Sequence, residues 1–186
     1  MLEISLDPFP ELETERLLLR QITHDDAAAI HFLRSSDEVM QYIEIPRITS
    51  NEAAIAHIDR LDDFRKKNEG INWAITLKND PNLIGIILFK SISKDHHRAE
   101  VGYMLHPEYW RKGIIHEAMK AVLDYGFNSL QLHSIEAMVN PDNIASIGVL
   151  EKNNFVREAY FKENYYFEGK FLDTAVYSLL KSTFTS

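Results

Sequence analysis

The stretch Tyr103–Ala118, YMLHPEYWRKGIIHEA, decides how the rest of the chain is read. It opens as a strand, is stopped by Pro107, and passes through a basic turn to Gly113, where a helical pattern begins. Ile115, Ala118, Met119 and Val122 recur on one face of a helix expected over 114–127. Glu117, Lys120 and Asp124 fall on the other face, at spacings that permit ion pairs. The first amides of a helix have no internal partner, and the helix dipole favours an anion in front of them. Gly113 carries no side chain to block the approach, and Arg111 and Lys112 add positive charge. The combination suits a phosphate or diphosphate. It is not a Walker loop, because no glycine-rich run precedes Lys112 and neither Ser nor Thr follows Gly113. A single glycine also falls short of a dinucleotide fingerprint. Taken alone, the turn reads first as a basic lead-in to a core helix.

Upstream, LETERLLLRQIT (12–23) reads as a first strand, and Thr23 caps a helix over 26–35. Ser50 caps another, running to about Lys67, with Ala54, Ile55, Ile58, Leu61 and Phe64 at helical spacing. The loop 41–50 between them is a connector or one wall of a pocket. NWAITLK, LIGIILFKSIS and AEVGYML then give three strands of an antiparallel meander, separated by Asn79–Asn82 and Lys94–His97. Downstream, 133–139 is a strand, Asn140-Pro141 starts a helix that ends at Asn153-Asn154, and two strands flank a turn at 168–170. That makes seven strands in a single domain spanning 1–186. The fold class is α+β, a mixed, mostly antiparallel sheet flanked by helices. On the helix after Pro141, Asn143 and Ser146 lie three apart and share a face on which a ligand would find two polar groups. Both residue types also merely decorate first turns.

Composition bounds the chemistry. There is no cysteine, so thiolate catalysis, disulfides and Cys-based zinc sites are out. No metal-ligand spacing appears among the 8 histidines, and no metal is expected. A net charge of −8 argues against nucleic acid as a partner. The apolar runs are too short to span a bilayer, and MLEISLDPFP has no signal-peptide character, so a cytoplasmic chain away from membranes is expected.

Taken together, Arg111–Ala118, Asn143, Ser146, Lys152-Asn153-Asn154-Phe155, the opening Glu13–Arg20 and Glu100-Val101-Gly102-Tyr103 resemble the GNAT family of acyl-CoA-dependent N-acetyltransferases. Within that family they are most similar to the RimJ/RimL branch of ribosomal-protein N-terminal acetyltransferases. The resemblance spans about residues 10–181. It implies a sheet splayed between its fourth and fifth strands with acetyl-CoA in the cleft. The pantetheine would run beside Met104, Leu105 and His106, with a backbone N–H near Leu105 facing the oxyanion. The diphosphate would sit on the amides of Arg111, Lys112, Gly113, Ile114, Ile115 and His116, and Asn143 would bond the pantetheine arm. Ser146 would protonate the departing thiolate, and Glu100 is the candidate base for the acceptor amine. Glu163 and Tyr165 are weaker candidates for that role, and His106 and His116 are weaker still. Ile115 stands where the family carries a small residue.

The implied reaction is direct attack by a primary amine on acetyl-CoA in a ternary complex. The acceptor that the resemblance implies is the N-terminal α-amine of a ribosomal or other protein. Alternatives are a small amine (polyamine, amino acid or antibiotic), a non-catalytic acyl-CoA-binding module, and an interaction domain. The aromatic run Tyr160–Phe167 hints at a homodimer.

Overall fold

A computed structural model describes residues 2–185. One mixed sheet runs through the molecule. Its strands are β1 (Leu12–Glu13), β2 (Leu17–Gln21), β3 (Ile71–Leu77), β4 (Asp80–Ser93), β5 (Arg98–Leu105), β6 (Ser134–Val139), β7 (Val156–Phe167) and β8 (Lys170–Leu180), in spatial order β1-β2-β3-β4-β5-β6-β8-β7. The helices are α1 (Ala27–Ser35), α2 (Asp37–Met40), α3 (Asn51–Lys66), α4 (Ile114–Asp124) and α5 (Ile144–Lys152). Every pairing is antiparallel except β5 with β6, so the α+β expectation stands.

The sheet has eight strands rather than seven, because the first expected strand folds back on itself. Thr14 Oγ1 accepts the Leu17 N–H at 2.9 Å, and Glu117 of α4 accepts both the Thr14 hydroxyl and the Arg16 N–H. These polar contacts pull Thr14–Arg16 out of line and make a hairpin in which Leu12 faces Leu19. Glu117 is therefore committed to Arg16 rather than to a partner on its own helix.

α5 starts later than Pro141. Asn140 Oδ1 accepts the Asp142 N–H at 2.9 Å and closes a side-chain turn, and Asn143 is the cap, accepting the Ser146 N–H at 3.1 Å. The far end follows expectation, with Asn154 in the left-handed region at φ 64°. α4 stops at Asp124 and widens into one π turn over Tyr125–Ser129, which brings Gly126 against Phe89 and Ile135.

β3 is buried on both faces, and its side chains alternate between two cores. Trp73 and Ile75 join Leu17, Leu19, Phe89 and the inner face of α4. Ala74 joins Ile86, Ile30, Leu33, Ala54 and Ile58 under α1 and α3. Ile55, at helical spacing with these, points outward and is 37% exposed. Ile115 is 8% exposed and packs in the core with Ile114, so its bulk does not fill the turn before α4.

The parallel β5–β6 ladder has only three registered pairs: Arg98 with Ser134, Ala99 with Ile135 and Glu100 with Glu136. Beyond Glu100 the two strands part. These are the fourth and fifth strands of the expected seven, shifted by one because of the extra hairpin. The splay opens a cleft between Val101–Leu105 and Ala137–Val139.

Candidate functional site

Two regions meet along β5. At its end, the chain makes a one-turn 3-10 helix over Pro107–Tyr109 and enters α4 through Trp110–Gly113. Arg111 and Gly113 both have left-handed backbones, at φ 60° and 74°. Left-handed residues alternating with ordinary ones turn successive N–H groups toward one point, which makes an anion-binding hollow. The amides of Gly113, Ile114, Ile115 and His116 precede the first intrahelical bond of α4, which Glu117 N–H makes to Gly113 O at 3.1 Å. A Cβ built on Gly113 would find only Arg16 Nη2 within 4 Å, at 3.5 Å, so the approach is open.

Arg16, from the β1–β2 hairpin, completes the turn from behind. Its Nη1 donates to Lys112 O at 3.0 Å and its Nε to Glu117 Oε2 at 2.6 Å. The Lys112 carbonyl is thereby held on the Arg16 side. Burial works to raise the Glu117 carboxyl, but bonds from Thr14 and Arg16 outweigh it and hold the group below its ordinary value. Its negative charge is thus neutralised where an anion would come. The Lys112 ammonium lies over the Tyr109 ring, 5.3 Å from its centroid, while the Arg111 side chain is exposed. His116 is held below its ordinary value by burial and then by Lys152, so it is neutral at pH 7. The His106 ring stacks on Phe32 and its Nδ1 accepts the Glu108 N–H at 3.3 Å, which caps the 3-10 turn.

Along β5, backbone direction alternates. His106 N–H donates to Ile84 O at 2.8 Å, toward β4, so Met104 and Gly102 face β4 as well. Tyr103 and Leu105 consequently direct their N–H and C=O groups into the cleft. Of the three residues expected to flank an extended ligand, only Leu105 offers it a backbone amide. The Leu105 carbonyl already accepts the Trp110 indole N–H at 2.8 Å. That bond ties the basic turn to the strand end.

The second region is a cavity of about 370 Å³ at the splay. Glu100, Met104, Asn143, Ser146 and Tyr165 all line it, so five of the residues picked from sequence come together here. Leu105, His106 and the turn Arg111–His116 lie outside its lining, toward the other end of the cleft. Glu100 is 8% exposed and its Oε1 accepts from Lys90 Nζ at 2.8 Å. Across the cleft, Tyr103 OH lies 2.7 Å from Ser146 Oγ and 3.2 Å from Ser146 O. Burial pushes the Tyr103 phenol up to about 12, the Ser146 contact acting in the opposite sense, so it is protonated throughout the neutral range.

Tyr103 was legible only as the end of Glu100-Val101-Gly102-Tyr103, with no role of its own; the contact that gives it interest is with a residue 43 positions away. The far wall comes from the loop 41–50, read above as a connector or a pocket wall, and from the last hairpin. Glu44 and Asp173 add two carboxylates to Glu100. Glu44 sits in the loop 41–50, its carboxylate accepting from Asn140 Nδ2 at 2.9 Å and its carbonyl from Tyr165 OH at 2.8 Å. Asp173 accepts the Tyr160 hydroxyl and the Glu163 N–H, and the first of these contributes most to holding it below its ordinary value. The loop's other end is held by buried Arg34, which donates to Pro46 O at 2.8 Å and faces His57 Nε2 at 3.2 Å. Burial, then the charges of Arg34 and Arg60, push His57 down to about 4, so its ring can accept from Arg34 at neutral pH. The loop is therefore a fixed pocket wall rather than a bare connector.

Among the described residues, no three His, Cys, Asp or Glu side chains are grouped to hold a metal ion. No described helix is long and apolar enough to cross a membrane.

Comparison with known proteins bears on this geometry. Residues 16–156 match the family model described as an acetyltransferase (GNAT) domain. The Bacillus subtilis protein named uncharacterized N-acetyltransferase YoaA is 42% identical over 173 residues, covering 93% of this chain and 98% of that one. The ribosomal-protein-S5-alanine acetyltransferase of Vibrio fischeri superposes with a TM-score of 0.82 at 27% identity, over 95% of this chain and 100% of that one. The spermidine N-acetyltransferase of Vibrio cholerae, solved with CoA and spermine, gives 0.80 at 25% identity, over 91% and 98%.

Proposed function

Since the chain belongs to the GNAT family of N-acetyltransferases, whose acetyl donor is acetyl-CoA, we propose that it acetylates the primary amine of a cationic acceptor bound in the cavity at the β5–β6 splay. The observation that carries this reading is the charge of the cavity wall. Glu44, Glu100 and Asp173 supply three carboxylates against the one ammonium of Lys90. A protonated amine is drawn to such a site, and low-dielectric walls strengthen the attraction.

The diphosphate of acetyl-CoA rests on the amides Gly113–His116, and the thioester reaches along β5 to Leu105, whose N–H stabilises the oxyanion. Glu100 takes the surplus proton of the amine, directly or through water, since its carboxylate borders the cavity. Ser146 gives a proton to the leaving sulfur, while Asn143 holds the Ser146 backbone and offers its amide to the pantetheine arm. Binding both reactants in one cleft removes much of the entropic barrier, up to about 10 kcal/mol in favourable cases.

The acceptor is the N-terminal amine of a polypeptide, in line with the ribosomal-protein acetyltransferase among the similar structures. A second reading, a polyamine, is favoured by the presence of three acidic residues in the wall and by the spermidine acetyltransferase likeness. Steady-state transfer to peptides with free N-termini and to spermidine separates the two. Asp173→Asn with Glu44→Gln should raise KM for the polycation about tenfold or more and, by a smaller factor, KM for a peptide that carries a single ammonium. Equal effects on both acceptors would remove the charge argument.

Arg16 gives a second check. Arg16→Ala frees the Lys112 carbonyl and unmasks Glu117 beside the diphosphate. KM for acetyl-CoA should rise about fivefold, with kcat within about twofold of the parent. An unchanged KM would detach the hairpin from donor binding.

A further inference from the structure

Ser146 is held more firmly than a proton donor on the first turn of a helix needs to be. Its N–H is taken by Asn143 Oδ1, and its carbonyl and hydroxyl oxygens both lie within reach of one phenol, Tyr103. Tyr103 comes from β5, on the opposite side of the splay, and lines the same cavity. Its single proton therefore has two acceptors on one residue. If it goes to Ser146 O, at 3.2 Å, the Ser146 hydroxyl must donate to the phenol oxygen at 2.7 Å and its proton is not free for a ligand. If it goes to Ser146 Oγ, the Ser146 proton is released to point elsewhere. The exchange needs only rotation about the two C–O bonds and no movement of a heavy atom.

We propose that Tyr103 is a positioning residue for Ser146: by swinging its O–H from the Ser146 carbonyl to the Ser146 hydroxyl oxygen, it turns the Ser146 proton onto the sulfur of the departing CoA. This rests on the acid role given to Ser146 above and adds the group that aims it. The amine nitrogen bonds the thioester carbonyl carbon, giving a tetrahedral intermediate. Its carbon–sulfur bond then breaks with the electron pair going to sulfur. The Ser146 hydroxyl proton passes to that sulfur, and the Tyr103 O–H, now donating to the Ser146 oxygen, stabilises the charge left there until water restores the proton. The amine, bound as its ammonium, loses two protons through Glu100 to solvent, one before attack and one from the nitrogen of the tetrahedral intermediate, and water returns one to Ser146, so the sum is one amide, one free thiol and one proton. A phenol pushed up to about 12 suits this work, because it never enters the neutral range as phenolate and always has its proton to offer.

The same contact also ties α5 to β5, so a purely structural role must be separated from the positioning one. Tyr103→Phe keeps the ring and removes only the hydroxyl. Turnover should fall about tenfold, the worth of one hydrogen bond to a developing charge, with KM for acetyl-CoA and the thermal midpoint near those of the parent. In the double variant Tyr103→Phe/Ser146→Ala, kcat should equal that of Ser146→Ala alone, since Tyr103 has then nothing to aim. Multiplying losses would overturn the proposal while leaving the acid role of Ser146 intact. A Ser146→Ala variant with full turnover would remove that acid role, and this proposal with it. If Tyr103→Phe lowers kcat only in step with its melting temperature, the contact is structural and the proposal fails.

Discussion

Trp73→Ala should cost the fold about 3–5 kcal/mol, the largest loss expected of any single truncation here. The indole is fully buried at the centre of β3, makes edge-on contacts with Phe9, Phe89 and Tyr125, and donates its N–H to Pro10 O at 2.7 Å. Truncation leaves a cavity between the sheet and α4 and strands the Pro10 carbonyl, which fixes the N-terminal segment. Against a total stability of about 5–15 kcal/mol, the variant sits near the edge of folding. For a chain of this length the melting temperature should drop by about 10 °C or more. Thermal unfolding followed by near-ultraviolet circular dichroism reads this directly. A drop of about 2 °C or less would mean that Trp73 is not the keystone between the sheet and α4.

Ser146→Ala should lower kcat about a hundredfold at neutral pH, the lower range of what a positioned proton donor supplies. KM for acetyl-CoA should stay within about twofold, because the hydroxyl matters only as the carbon–sulfur bond breaks. The deficit should shrink above the thiol range near ~8.5, where the thiolate leaves without help. A pH profile of kcat for parent and variant tests both parts. A deficit constant across pH, or a change confined to KM, would make Ser146 a binding residue instead. The helix itself should survive, since Asn143 caps it through the Ser146 backbone and not through the hydroxyl.

The fold was readable where period and cap agreed. β3 announces itself as NWAITLK, one residue off the strand Ile71–Leu77, and Ser50 caps α3 by accepting the Ala53 N–H, as its place before an apolar helical pattern suggests. Reading failed where one polar side chain overrules the pattern. Thr14 turns an apparently continuous strand into a hairpin, and Asn140 spends its oxygen on a turn that delays α5 by three residues relative to Pro141. Both are local hydrogen bonds that hydrophobic periodicity does not register. In the proposed site, the donor end lies in one continuous segment, so Arg111–His116 stood out as a basic turn before a helix, and the resemblance gave it its role. The acceptor end is assembled from Glu44, Tyr103, Ser146 and Asp173, which lie on four separate elements or loops. Their proximity depends on where β5 and β6 stop pairing, a tertiary event that no spacing encodes. The expectation that Met104, Leu105 and His106 serve alike also met the two-residue alternation of a strand: the His106 amide is taken up by Ile84.

A crystal structure of the chain with CoA puts the central proposal to its most direct test. The diphosphate should lie within hydrogen-bond distance of the Gly113–His116 amides, with the pantetheine against Tyr103 and Leu105 and the sulfur beside Ser146. A diphosphate bound elsewhere, or a Gly113–His116 turn left without it while CoA is bound, would contradict both the donor site and the direction of the reaction along the cleft.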